Sequence, residues 1–118
     1  PSGHDKILQV DTRSFERAVD LVSTVSSERG RAVKLSVGDG HVVLTVNNPD
    51  SGTAMEEITA SYDAEPIDIG FNARYLLDIA GQLESSEARF ELSDPGSPTL
   101  VRDGDDASAL YVLMPMRV

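Results

Sequence analysis

Cysteine is missing from all 118 residues, and so is tryptophan. The first absence excludes disulfides, thiolate metal centres and a cysteine nucleophile. Histidine is nearly missing: His4 and His41 are the two, and neither has a partner at ligand spacing such as His-x-x-x-His. No metal site and no cofactor are therefore expected. No serine stands in Gly-x-Ser-x-Gly, and no glycine-rich loop runs into a helix, which removes the usual nucleophile elbow and phosphate cradle. No apolar run approaches the roughly 20 residues of a membrane helix, and no signal-peptide pattern opens the chain, so no membrane partner is expected. Positive charge is scarce as well, with ten Lys and Arg against twenty Asp and Glu, a formal charge of −10. As an average this argues against phosphate binding, which needs Lys and Arg.

What is present is a core built without many rings. Aromatic residues make up 5% of the chain while 40% is apolar, so Val, Leu, Ile, Ala and Met must fill the interior. The length suits one domain, or two small repeats sharing a core. Residues 6–10 read as a short strand, and Asp11 or Thr12 as the N-cap of a helix over 12–27, in which Phe15, Ala18, Val19, Val22 and Val25 recur at helical spacing. Val33, Leu35 and Val37 then alternate with polar residues, Gly38-Asp39-Gly40 makes a hairpin turn, and strands follow over 41–46 and 54–62. The order then starts again: a strand over 66–71, Asn72 as N-cap, a helix over 72–83, and strands over 88–92, 99–102 and 107–114, the last ended by Pro115. The pattern is β-α-β-β-β twice, repeat one about 6–62 and repeat two about 66–118, with residues 1–5 as a linker. Repetition of this kind implies a pseudo-symmetric α+β domain, two helices packed on antiparallel sheets.

Charge is unevenly shared between these elements. The two helices hold Arg13, Arg17 and Arg74 against Glu16, Asp20 and Asp78, so they are neutral together and the strands and loops carry the whole excess. Arg29, Arg31 and Lys34 cluster after the first helix. One reading is ordinary solubility; the other is that the helical layer faces an anion and the sheet layer does not. Catalytic sets are not found. Asp103-Gly104-Asp105-Asp106 does not match a calcium loop and reads as a solvated hairpin turn. Glu56 and Glu57 are neighbours on a strand, so their carboxylates point to opposite faces and cannot converge on one substrate.

The end of the sequence is the most specific stretch. Tyr111-Val112-Leu113-Met114-Pro115-Met116-Arg117-Val118 resembles the terminal segment of the bacterial DNA polymerase III beta subunits, the sliding clamps, and most of all those of proteobacteria. Ile69-Gly70-Phe71-Asn72 with Tyr75-Leu76-Leu77-Asp78, and Val46-Asn47-Asn48-Pro49 with Glu56-Glu57, resemble two further stretches of that family. The similarity runs over essentially the whole chain and points to its third, C-terminal domain. It implies a non-catalytic processivity factor of the bacterial cytoplasm and nucleoid. Three such domains make up each protomer, and two protomers join as a homodimeric ring with helices facing duplex DNA, which is held non-specifically and only by the closed ring.

The resemblance also implies sites. Short peptides of polymerase subunits, clamp loader and repair proteins would dock at Asn72, Tyr75, Val112, Met114, Pro115, Met116, Arg117 and Val118. Methionines adapt to varied apolar side chains, and Pro115, lacking an N–H, is expected to free the tail from the sheet. Without the resemblance, core is the minority reading of Val112 and Met114. Where the family has other residues at the pocket rim, this chain has Gly96 and Pro98. Ring closure would use Thr24, Val25, Asp50, Glu56 and Glu57. Arg13, Arg17, Arg31, Lys34 and Arg74 are the candidates for DNA-facing contacts. The alternative function is a free-standing acidic adaptor that binds peptides and never touches DNA.

Overall fold

A computed structural model describes residues 5–25, 32–104 and 106–116. His4, Arg29, Arg31, Arg117 and Val118 lie outside the described residues, as does most of the expected linker. The elements are β1 (Lys6–Asp11), α1 (Thr12–Ser23), β2 (Ala32–Gly38), β3 (His41–Asn48), β4 (Gly52–Thr59), β5 (Ile67–Asn72), α2 (Ala73–Gln82), β6 (Glu87–Leu92), β7 (Thr99–Asp103) and β8 (Asp106–Leu113). Each helix starts where a side chain can satisfy its free amides. Asp11 accepts from the Ser14 N–H at 2.9 Å, and Asn72 from the Arg74 and Tyr75 N–H groups at 2.8 and 3.4 Å.

The first helix is shorter than its periodicity suggests. It stops at Ser23, not near residue 27. Ser23 Oγ donates to the Val19 carbonyl and Thr24 Oγ1 to the Leu21 carbonyl, both at 2.7 Å, while the Thr24 N–H turns to Leu21 as well. Hydroxyls that compete for the last carbonyls favour such an ending. Val25, counted in the helical stripe, instead packs on the core from the connecting segment.

The strands form two antiparallel four-stranded sheets, β4-β3-β2-β5 and β1-β6-β7-β8. The repeats therefore exchange their first strands. β1 pairs with β6 in register Leu8↔Phe90, and β5 pairs with β2 in register Leu35↔Ile69. The exchange welds the halves into one core, in which Leu8, Val19, Val33, Leu35, Phe71, Phe90 and Leu92 are almost wholly buried. The rings of Phe15 and Phe90, one from each half, lie 5.1 Å apart between centroids.

The helices are not the only parts pinned by side chains. Asn48, ending β3, donates from Nδ2 to the Val25 carbonyl at 2.7 Å and so holds the segment after α1. Asp103, ending β7, is buried and accepts from the Glu84 and Ser85 N–H groups at 2.9 and 2.8 Å, holding the segment after α2. The expected solvated turn at 103–106 is thus corrected at its first residue. The two amides, Glu84 first and Ser85 second, hold the Asp103 carboxyl below its ordinary range. Gly104 follows with φ 59° and no room for a side chain, because a Cβ there would meet Ser85 Cβ at 2.8 Å.

Candidate functional site

The segment leaving β8 does not run free. Its Met116 N–H donates to the Gly70 carbonyl at 2.7 Å, so the tail crosses from the sheet of β8 to the edge of β5 in the other sheet. The expectation that Pro115 releases the tail is corrected: proline ends one ladder, and the next residue joins another. The crossing roofs an open groove of about 530 Å³, lined by Pro115 and Met116, by Asp68, Ile69 and Gly70 of β5, by Lys34 of β2, and by Pro95 and Gly96. Pro95 and Gly96 are fixed by Asp94, whose carboxylate accepts from the Gly96 N–H at 2.8 Å and from Ser97 Oγ at 2.9 Å. Those bonds, the Ser97 hydroxyl first, hold the Asp94 carboxyl below its ordinary range. Asp94-Pro95-Gly96 reads as a turn in the sequence, and such a turn favours this side-chain bonding.

The expected docking residues divide into two groups. Pro115 and Met116 line the groove, whereas Asn72, Tyr75, Val112 and Met114 do not. Tyr75, Val112 and Met114 are nonetheless 58%, 57% and 63% exposed, so Val112 and Met114 are surface and not core. The alternation is simple: Leu113 between them points inward and is buried. Leu100, directly opposite Val112 on β7, widens the same apolar strip. Asn72 is committed through Oδ1 to capping α2, which leaves its Nδ2 as the group able to donate to a ligand.

These features match a known family. The family model described as DNA polymerase III beta subunit, C-terminal domain, matches residues 1–117. The beta sliding clamp of Caulobacter vibrioides is 52% identical over the whole of this chain, which corresponds to 32% of that protein. The beta sliding clamp of Pseudomonas aeruginosa is 36% identical, again over the whole chain and 32% of the relative. The chain belongs to the DNA polymerase III beta-subunit family.

Solved clamps share the fold closely. The Bartonella birtlesii sliding clamp superposes with a TM-score of 0.96 at 57% identity, covering all of this chain and 34% of that one. A second structure of the B. birtlesii clamp, bound to griselimycin, gives 0.95 at 57% identity, over all of this chain and 32% of that one. The chain spans about a third of the curated clamps it matches.

The remaining expected residues take distinct places in this clamp domain. β4 is an edge strand of its sheet. Thr53, Met55, Glu57 and Thr59 are exposed on one face, while Ala54, Glu56 and Ile58 are half-buried on the other. Glu56 and Glu57 therefore diverge, as expected. Thr24 and Asp50 are exposed and Val25 is half-buried; Leu21 at 49% and Met55 at 65% exposure are apolar neighbours that sequence reading missed. Of the cations, Arg17 and Arg74 are exposed on the helices. Arg13 is engaged: it reaches the Leu83 carbonyl at 2.6 Å and pairs with Glu16, tying α1 to the end of α2. Lys34 sits on the sheet face opposite buried Val33 and Leu35, in the groove, and not with the helices. Among the described residues no group of three or more His, Asp or Glu gathers as a metal site, and no helix is long and apolar enough to cross a membrane.

Proposed function

We propose that this domain serves a ring-shaped clamp on DNA as its peptide-docking and ring-closing end, without catalytic chemistry of its own. The observation that carries the docking role is the groove beneath the Met116–Gly70 bond, continuous along the chain with the exposed Met114 and Val112. An extended peptide from a polymerase, loader or repair protein lays Leu or Phe anchors against Met114, Met116, Val112 and Tyr75. Asn72 Nδ2 donates to its backbone or to a Gln side chain, and Arg117 and Val118, outside the described residues, belong to this set by sequence. A few anchors of this kind dominate such interfaces, each contributing on the order of 2 kcal/mol.

Ring closure into a homodimer uses the free edge of β4 with Asp50, Glu56 and Glu57, beside Thr24 and Val25 at the end of α1. An open edge invites strand pairing, and its carboxylates select the partner. Duplex DNA then passes the helical face, where Arg17 and Arg74 are free to meet phosphate and Arg13 is not. Arg31 belongs to this set by sequence, while Lys34 belongs to the groove. Near-neutral helices suit a ring that holds DNA by linkage and must slide.

The test is calorimetric titration of a Gln-and-Leu/Phe peptide into the full-length protein, intact and lacking Met116 to Val118. Affinity falls at least about tenfold, equivalent to roughly 1.4 kcal/mol. Equal affinities would remove the tail from the site.

A further inference from the structure

The strand exchange builds the groove twice. Gly70 lies two residues before the cap of α2, and Gln9 two residues before the cap of α1. Lys34 pairs with Gly70, and Arg89 pairs with Gln9. Met116, leaving β8, bridges to Gly70; Ser61, leaving β4, bridges to Gln9. The turn bearing Gly96 closes one side of the first groove, and the turn bearing Asp39 and Gly40 closes the matching side of a second. That second groove measures about 410 Å³ and is lined by Ile7, Gln9, Asp39, Ser61, Asp63 and Arg89, among others.

The chemistry of the copy differs. Among the described residues, the first groove has Pro95, Pro115 and Met116 where the second has Asp39, Ala60 and Ser61, and Asp63 also lines the second. Asp39 and Asp63 are exposed and come from different elements, the β2–β3 turn and the segment after β4. Arg89 shares one carboxylate with Arg102: Glu91 Oε2 lies 3.1 Å from Arg89 Nε and accepts from Arg102 Nε at 2.9 Å. Among its described lining residues, the first groove has one cation, Lys34, and one carboxylate, Asp68. In the crossing segment Gln9 and Ser61 exchange two backbone hydrogen bonds, at 3.0 and 2.8 Å, and Tyr62 beyond them is buried with its hydroxyl donating to the Glu65 carbonyl. Burial raises the Tyr62 hydroxyl above its ordinary range, and the negative field of Asp5 and Glu65 raises it further.

We propose that this second groove docks an extended segment of a partner protein carrying Lys or Arg, with Asp39 and Asp63 as its charge partners. The idea rests on the peptide reading of the first groove for the shape of its occupant, and on the carboxylates alone for its chemistry. Exposed carboxylates select by charge, and adaptable methionines select by apolar anchors.

The test uses the full-length protein and a fluorescent, amidated Lys-Arg-Leu-Lys-Arg peptide, followed by anisotropy at low and physiological salt. Asp39→Asn with Asp63→Asn weakens binding about fivefold, as expected for two exposed charge pairs. Asp20→Asn with Asp78→Asn removes the same charge from the helices and changes binding less than about twofold on the same scale. Thermal melts and an unchanged affinity for the Gln-and-Leu/Phe peptide show that both variants are folded. Equal losses from the two pairs would mean that bulk acidity attracts the peptide, and no binding to the parent would be equally fatal; either overturns the proposal. If tail truncation fails to weaken the Gln-and-Leu/Phe peptide while the carboxylate pair still matters for the basic one, the first reading falls and this one stands.

Discussion

The two halves of this domain solve the same structural problem with different side chains. Each connection after a helix is held by the last residue of the second strand that follows it. In the first half Asn48 donates to the Val25 carbonyl; in the second, Asp103 accepts from Glu84 and Ser85. Each half sends a segment across to the other sheet, once as Ser61 and once as Met116. The lesson is that the backbone plan is shared while polarity and charge are assigned to each half separately. The first half has a neutral amide, a bridge of two backbone bonds between Gln9 and Ser61, and a buried tyrosine. The second half has a carboxylate, a bridge through the Met116 N–H to Gly70, and the exposed Met114.

The largest expected contrast lies in the turns. Gly52 and Gly104 both have positive φ, at 104° and 59°, but Gly52 has open space and Gly104 faces Ser85. Gly104→Ala, which adds a clash to backbone strain, costs roughly 3 kcal/mol. Gly52→Ala costs about 1 kcal/mol from strain alone. Urea unfolding of both variants measures the difference, and equal losses would break the distinction between the turns.

Next comes acid stability. The Asp103 carboxyl titrates below its ordinary value in the fold, so its contribution is complete above the unfolded value near 3.9 and fades as pH falls through the lower folded value. Asp11, held by the Ser14 N–H, and Asp94, held by the Ser97 hydroxyl, shift the same way but are exposed. Asp103→Asn lowers stability at pH 7 by roughly 2 kcal/mol, the usual worth of hydrogen bonds to a buried charge. It also flattens the acid limb of a stability-against-pH curve. The Asn48 clasp carries no such dependence, so Asn48→Ala lowers that curve without reshaping it.

A smaller effect tests the edge of β4. Glu56→Lys with Glu57→Lys in the full-length protein weakens dimerisation about tenfold while leaving the fold intact. Sedimentation showing an unchanged dimer at nanomolar protein would remove these carboxylates from ring closure. Smallest is the stability cost of losing Met116 to Val118, about 1 kcal/mol for the bond to Gly70, visible as a slight drop in melting temperature. A large drop would mean that the tail is core.

Local signals in the sequence were sufficient for the order of elements. Asp11 and Asn72 were readable as caps because a short polar acceptor precedes each apolar helical stripe. The alternation of Val33, Leu35 and Val37 announced a half-buried strand. Pairing was not readable: alternation tells which face is buried but not which sheet a strand joins, so the exchange of β1 and β5 left no local mark. For the same reason the Met116–Gly70 and Ser61–Gln9 bridges were hidden, and with them the tail's attachment and the second groove. Asp103 reads as a solvated turn residue because Asp-Gly is a strong hairpin signal, and only the approach of Glu84 and Ser85, 19 and 18 residues away, makes it a buried acceptor. Lys34 was grouped with the helix cations by its sequence neighbours, whereas strand alternation sends it to the opposite face.

The most direct test of two grooves on one plan is cross-competition in the full-length protein. Saturate it with the Gln-and-Leu/Phe peptide, then titrate the labelled Lys-Arg-Leu-Lys-Arg peptide and follow both by anisotropy in two colours. The account predicts additive binding, with neither peptide displacing the other and each responding to its own variant, the tail deletion or the Asp39 and Asp63 pair. Mutual displacement would contradict it, because both peptides would then share one site.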